Sequence, residues 1–384
     1  MSNEIFKRLI IYNIQREKII TRKDLIRILD DTDLSSFSQA EELIFYLEAK
    51  HSQAQEQNNS GYKFNIARQR ILELSKRHLE LCITMNINVL LYTDEQYPSM
   101  LREASDKPVI IFYKGKIDFT QSQNIRQLAV IGTRKMTSYA ERFINRELSA
   151  LSAYNMNIIS GLARGVDSLA HQVALDNSML TTACLAHGID ITYPAEHKSL
   201  QDRIAENGLL ISEHAPGVKP IKQYFPARNR IISALSEAVL VVEAGLKSGT
   251  LITTEFAANQ GRDVLAVPGS IYAESSSGCN NLIRDGAIMI RNVHDLLEYF
   301  DFSYTSTRLD TSDNILELSN NSLSFNSNKE DLKDIIYALQ DGALSESELT
   351  RKLNIENSIL RSNLVVLESL KLIIIKRGMI SLTK

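Results

Sequence analysis

Nine short apolar runs, rich in β-branched residues and separated by stretches of helical spacing, constrain this chain more than any other feature. They are VLLY (89–92), VIIFYKG (109–115), LAVIG (128–132), NIISG (157–161), TTACLA (181–186), LLISE (209–213), AVLVVEA (238–244), DVLAVPG (263–269) and AIMI (287–290). Strands that are apolar on both sides need cover on both faces, and parallel neighbours need crossover connections. Residues 82–300 therefore predict an α/β fold, an extended Rossmann-like core with a mostly parallel sheet.

The flanks read differently. Residues 1–81 carry apolar positions at helical spacing, among them Ile5, Leu9, Ile10, Leu25, Ile28, Leu29, Leu43, Ile44 and Leu47. That predicts a small N-terminal helical domain of the SAM-like kind, with one helix starting at Thr21–Arg22 and a polar loop over 51–61. Residues 301–330 are rich in Ser, Asn, Asp and Thr, a linker composition. Residues 331–384 read as helices over 331–340, 345–353 and 356–369, then a hairpin turning at Gly378, the pattern of a winged-helix domain.

Lys and Arg number 43 against 46 Asp and Glu, a net charge of −3, so any nucleic-acid site must be a local basic patch. Cys82, Cys184 and Cys279 are sparse and far apart, which fits a reducing cytosol rather than a disulfide framework. No Cys/His cluster has zinc spacing, and neither metal nor cofactor is expected. The N-terminus mixes charges around a short apolar run, so neither a signal peptide nor a membrane span is expected, and the expected location is cytoplasmic.

Four constellations carry the chemistry. In LAVIGTRKMTSYA a strand ends at Gly132 and a helix starts near Thr137 or Ser138, with Thr133, Arg134 and Lys135 between. Glycine permits the sharp turn, helix-start amides favour an anion, and the cations add charge. The alternative is an ordinary turn with solvated charges. There is no GxGxxG and no acidic ribose reader, which disfavours a dinucleotide. In NIISGLARGVDSLAH, the small residues Ser160 and Gly161 permit close approach and Arg164 supplies charge. Asp167 is placed to cap the next helix or orient Arg164, and His171 is more readily structural than catalytic. In GIDITYPAEH, Tyr193 either stacks on a base or packs. In FPARNRIIS, Arg228, Asn229 and Arg230 form a basic pair around an amide, with one arginine available to Glu213 or Glu243. The following VVEAGLKSGTLITTE offers Lys247, Ser248 and Gly249, with Thr250 as a helix cap. Several such loops at one sheet edge could follow a polyphosphate chain.

In these segments, together with GRDVLAVPGS and SGCNNLIRDGA, the chain resembles the DNA-processing protein A family (DprA/Smf) over about residues 85–300. The resemblance implies a homodimer that binds single-stranded DNA without strong sequence preference. It also implies protection of incoming DNA and help in loading the RecA recombinase during natural transformation. The family's DNA-contacting arginine and lysine fall on Arg134 and Lys247, and its loop glycines and small residues on Gly132, Ser160, Gly161, Ser248 and Gly249. Two departures stand out: His197 replaces the family's usual asparagine after TYPxE, and residues 1–80 lack a helix-hairpin-helix glycine signature.

The rival is an enzyme, a nucleotide phosphoribohydrolase of the lonely-guy type, which places a glutamate closely after a glycine-rich loop. Here Thr253 takes that position, and Glu255, two residues on, is rotated by about 200° around the helix. General acid–base work needs the carboxylate within hydrogen-bond reach, so a binder is expected rather than an enzyme. In the C-terminal module, ENSILRSNLVVLESL has one arginine and two glutamates, and Lys376 and Arg377 lie in the wing. That favours an accessory or partner-binding role over base reading.

Overall fold

All nine apolar runs form strands, and the nine pair into one sheet. The computed structural model describes residues 2–55, 60–116, 125–302 and 329–382, with short interruptions at 340–341, 354, 370–371 and 377–378. Most of the expected linker and the turn at Gly378 lie outside the described residues. The strands are β1 (Asn88–Leu91), β2 (Ile110–Gly115), β3 (Arg126–Gly132), β4 (Met156–Ser160), β5 (Leu180–Leu185), β6 (Leu209–Ser212), β7 (Ala238–Glu243), β8 (Asp263–Ala266) and β9 (Ile288–Met289). Their order is β1-β2-β6-β5-β4-β3-β7-β8-β9. β6 to β9 run parallel across the sheet, while β2 pairs antiparallel with both β1 and β6. The fold is α/β with a mostly parallel sheet, as the runs predict.

The period-two geometry of a strand explains why these runs carry apolar residues on both of their sides. In β3, Leu128 and Val130 enter one core while Ala129 and Ile131 enter the other. Helices α1 (Ser2–Arg16), α2 (Arg22–Asp30), α3 (Ala40–Gln55) and α4 (Ser60–Thr84) precede the sheet. Thr21 caps α2, its hydroxyl accepting from the Asp24 amide at 3.2 Å. Within and after the sheet come α5 (Ser99–Glu103), α6 (Ser138–Phe143), α7 (Val166–Asp176), α8 (Lys198–Asn207), α9 (Tyr224–Ala234), α10 (Thr250–Asn259), α11 (Ser277–Arg284) and α12 (Val293–Tyr299).

The N-terminal helices share their core with one face of the sheet. Tyr12 of α1 meets Phe112 of β2 edge-on, ring centres 5.1 Å apart, and its hydroxyl accepts from the buried Ala215 amide at 3.0 Å. Arg8 adds an ion pair to Asp94 at 3.1 Å. Two compact units result, divided between residues 302 and 303. The second contains α13 (Lys329–Ala338), β10 (Leu344–Ser345), α14 (Glu346–Leu353), α15 (Asn357–Ser369), β11 (Ile373–Lys376) and β12 (Met379–Leu382). Its strands pair antiparallel in the order β10-β12-β11, around a core including Leu332, Ile335, Leu349, Leu364 and Ile380. No described helix is long and apolar enough to cross a membrane.

Three histidines packed into the first unit stay neutral at physiological pH. Burial pulls His78 to about 4, His171 to about 3 and His214 to about 4. His171 is fully enclosed, its Nδ1 2.7 Å from the Thr181 hydroxyl, so it is a core residue and no base. The unfolded chain protonates these rings as pH falls through the ordinary value of 6.5, whereas the fold resists until far lower. Their contribution is therefore complete above pH 6.5 and is lost as pH falls towards 3. Urea unfolding between pH 6.5 and 4.5 should show stability falling with acidification, the three rings adding up to about 1.4 kcal/mol per pH unit each. A flat profile in that window contradicts the assignment.

Candidate nucleic-acid interface

From β6 to β9 the strands are parallel, so the loops at their carboxyl ends share one edge. The chain proceeds from β3 outward through β4, β5 and β6, then returns to the other side of β3 with β7, β8 and β9. Successive connections therefore diverge between β3 and β7, the switch point at which open α/β sheets bind ligands. Loop 133–137 lies on one bank and loop 244–249 on the other.

The protein itself fills part of this crevice. Glu243, buried at the end of β7, accepts from the Thr137 amide at 2.9 Å and the Thr137 hydroxyl at 2.7 Å. Thr137 is the N-cap of α6, as expected. Its amide and hydroxyl are both committed to this internal carboxylate. Gly132 has a packing role, since a Cβ there would lie 2.6 Å from the Val166 side chain. What remains open on this loop is charge: Arg134 and Lys135 are exposed, with Thr133 half-buried.

The small residues and the basic pair form the support beneath the loops. Ser160 is fully buried and donates to the Val130 carbonyl at 2.6 Å. Arg228 is buried and donates through Nη1 to the Gly161 carbonyl at 2.6 Å and also to the Cys184 carbonyl. A Cβ on Gly161 would lie 2.5 Å from that guanidinium, so only glycine fits. Asp167 faces the same group and accepts from the Gly161 amide at 3.1 Å, so it braces this turn and does not orient Arg164. Burial lowers the pKa of Arg228 and raises that of Asp167, and each partner's charge opposes the shift. Arg230 is also buried, 2.6 Å from Glu213 and 3.6 Å from Asp106. Asn229 is half-buried between the two arginines and accepts from Arg228 Nε at 3.3 Å. Ser160, Gly161, Arg228 and Arg230 were expected to face the ligand, but they lie inside. Burial with carbonyl and carboxylate partners is what makes two adjacent cations tolerable there.

The exposed layer is made by Arg134, Lys135, Arg164, Lys247 and Gly249, with Ser248 half-buried. Ser248, rather than Thr250, satisfies the start of α10, accepting from the Thr250 amide at 3.2 Å. No atom approaches within 4 Å of a Cβ built on Gly249, so that backbone is open to a ligand. Arg164 is paired with Glu196 at 2.5 Å. The Arg134 guanidinium lies 5.9 Å from the centre of the Phe225 ring, and Tyr193 stands 5.3 Å beyond, 45% exposed. Tyr193 thus joins an aromatic row. Phe225 was missed, although an aromatic at a helix start two residues before ARNR was a usable signal.

The enzyme alternative fares poorly at this edge. Thr253 is buried at the position a phosphoribohydrolase would give its glutamate, and Glu255 is exposed. Among the described residues no group of three or more His, Cys, Asp or Glu could hold a metal.

Fold and edge together define an open, doubly wound α/β protein whose switch point carries exposed cations and aromatic rings. The chain belongs to the DNA recombination-mediator protein A family, whose model matches residues 88–301. It is 42% identical over 209 residues to DNA processing protein DprA of Streptococcus pneumoniae, covering 54% of this chain and 73% of that protein. DprA of Bacillus subtilis is 39% identical over 212 residues, covering 55% and 71%. The X-ray structure of the Streptococcus pneumoniae protein superposes with a TM-score of 0.63 at 32% identity, covering 78% of this chain and 97% of that one. A structure of DNA processing protein A from Helicobacter pylori, described for its single-stranded DNA binding mode, gives a TM-score of 0.51 at 30% identity. It covers 57% of this chain and 97% of that one.

Buried and exposed arginines should separate cleanly by stability. Arg228→Ala strands Asp167 and two carbonyls and should lower unfolding free energy by about 3–5 kcal/mol. Arg134→Ala and Lys247→Ala should stay within about 0.5 kcal/mol of the parent. Chemical denaturation compares all three, and equal losses would refute this division.

Proposed function

We propose that this chain binds single-stranded DNA along the carboxyl edge of its parallel sheet and acts as a recombination mediator. The observation that carries the reading is the cluster at the switch point, where Arg134, with no carboxylate partner among the described residues, lies beside the Phe225 and Tyr193 rings and Lys247 lies on the opposite bank. Cations hold phosphates irrespective of sequence, and aromatic faces accept any unstacked base. A duplex keeps its bases stacked inside, where Phe225 and Tyr193 cannot reach them.

Membership of the DprA family, and the single-stranded DNA binding described for the Helicobacter pylori relative, support the same ligand. By the same resemblance, the role is to protect incoming DNA and assist loading of RecA during natural transformation, in the cytoplasm. A homodimer would join two edges and raise affinity by avidity. The C-terminal unit, with three helices and a three-stranded sheet, is read as an accessory winged helix. No catalytic activity is assigned. Release of free base from nucleoside monophosphates by the purified protein would contradict that.

Fluorescence anisotropy with a labelled oligo-dT, titrated with KCl, tests the reading. Arg134→Ala and Lys247→Ala should each weaken binding and reduce the salt slope by about one. Phe225→Ala should cost about 1–3 kcal/mol with little change in slope, as expected of a stacked base. Parental affinity and slope in both cation variants would overturn the site.

A further inference from the structure

Of the exposed cations on this edge, Arg164 differs from Arg134, Lys135 and Lys247 in having a carboxylate partner among the described residues. Its loop follows β4, and Glu196 lies in the loop that follows the neighbouring β5. Resting on the DNA-binding reading, we propose that Glu196 is an internal stand-in for a backbone phosphate, holding Arg164 in an ion pair that an incoming strand displaces.

The geometry suits an exchangeable contact. Both side chains are largely in solvent, Arg164 60% and Glu196 51% exposed. An exposed pair of this kind is worth at most about 1 kcal/mol, so opening it is easy. A guanidinium fork donates to carboxylate and phosphate oxygens in the same way. The shape of the loop does not depend on the pair, because a second contact holds it. His197 Nδ1 lies 3.0 Å from the Leu162 carbonyl, and Leu162 is fully buried at φ +54°. Such a left-handed conformation in a bulky residue persists only where its surroundings enforce it.

The loop is also tied to the principal arginine. Gly165, at φ +77°, packs against the backbone of Thr133 and Arg134, and the Val166 amide donates to the Thr133 carbonyl at 3.3 Å. Arg164 and Arg134 therefore keep a constant backbone relation while the Arg164 side chain changes partner. A strand anchored at Arg134 presents its next phosphate at high effective concentration, whereas a free anion must displace Glu196 unaided. Glu196 thereby selects a chain over a small anion.

Anisotropy of labelled oligo-dT on the full chain, across KCl concentrations and with inorganic phosphate as competitor, tests this. Glu196→Gln should tighten binding about three- to fivefold, the scale of one exposed pair, and steepen the salt slope by up to about one. Phosphate should compete better against this variant than against the parent. Arg164→Ala should weaken binding, and adding Glu196→Gln to it should bring no gain. An unchanged affinity in Glu196→Gln, or the same gain without Arg164, overturns the proposal even if Arg134→Ala and Lys247→Ala still weaken binding. If the parent protein fails to bind the oligonucleotide, the DNA-binding reading itself falls.

Discussion

The buried guanidinium of Arg228 is the contact on which the functional edge depends. It reaches from α9 to the Gly161 carbonyl just past β4 and to the Cys184 carbonyl near the end of β5. Asp167 balances its charge and grips the Gly161 amide from α7. One cation thus fastens two strand ends, a crossover helix and the helix that carries Phe225. Removing it would leave an uncompensated carboxylate in the core, so the cost falls on the fold before it reaches the ligand.

Above that support the surface is a thin layer of adjustable side chains. Glu243 reaches across the switch point to Thr137, the N-cap of α6. The exposed cations stand on either side of this internal contact. This division between a buried inner shell and an exposed outer one suits a ligand that arrives as a chain and must be held at several shallow points.

Much of the sheet was legible because its physical cause is local. Strands covered on both faces must be apolar on both sides, and most positions of the nine runs are. The direction of β2 was not legible, since an apolar run reads the same in either orientation. Nor was the placement of the N-terminal helices. Leu9, Leu25 and Leu43 mark a buried stripe, but a stripe does not say whether it meets another helix or, as here, a core shared with a sheet. At the edge, the sequence pointed to loops that do lie together at the strand ends, but it misjudged how deep several of their residues sit. Arg134 and Arg228 are the same residue type in similar company, and only the tertiary arrangement puts one outside and the other inside. Glu243 went unassigned to α6 because its partner Thr137 lies 106 positions away.

The two banks of the switch point are chemically unlike. Arg134, Phe225 and Tyr193 gather towards the β3–β6 side, whereas the β7 side offers Lys247 and the bare backbone of Gly249. A polymer whose two ends differ meets different chemistry according to which way it lies across such an edge. Reversing such a polymer would exchange which of its ends meets the rings and guanidinium and which meets the ammonium and bare backbone.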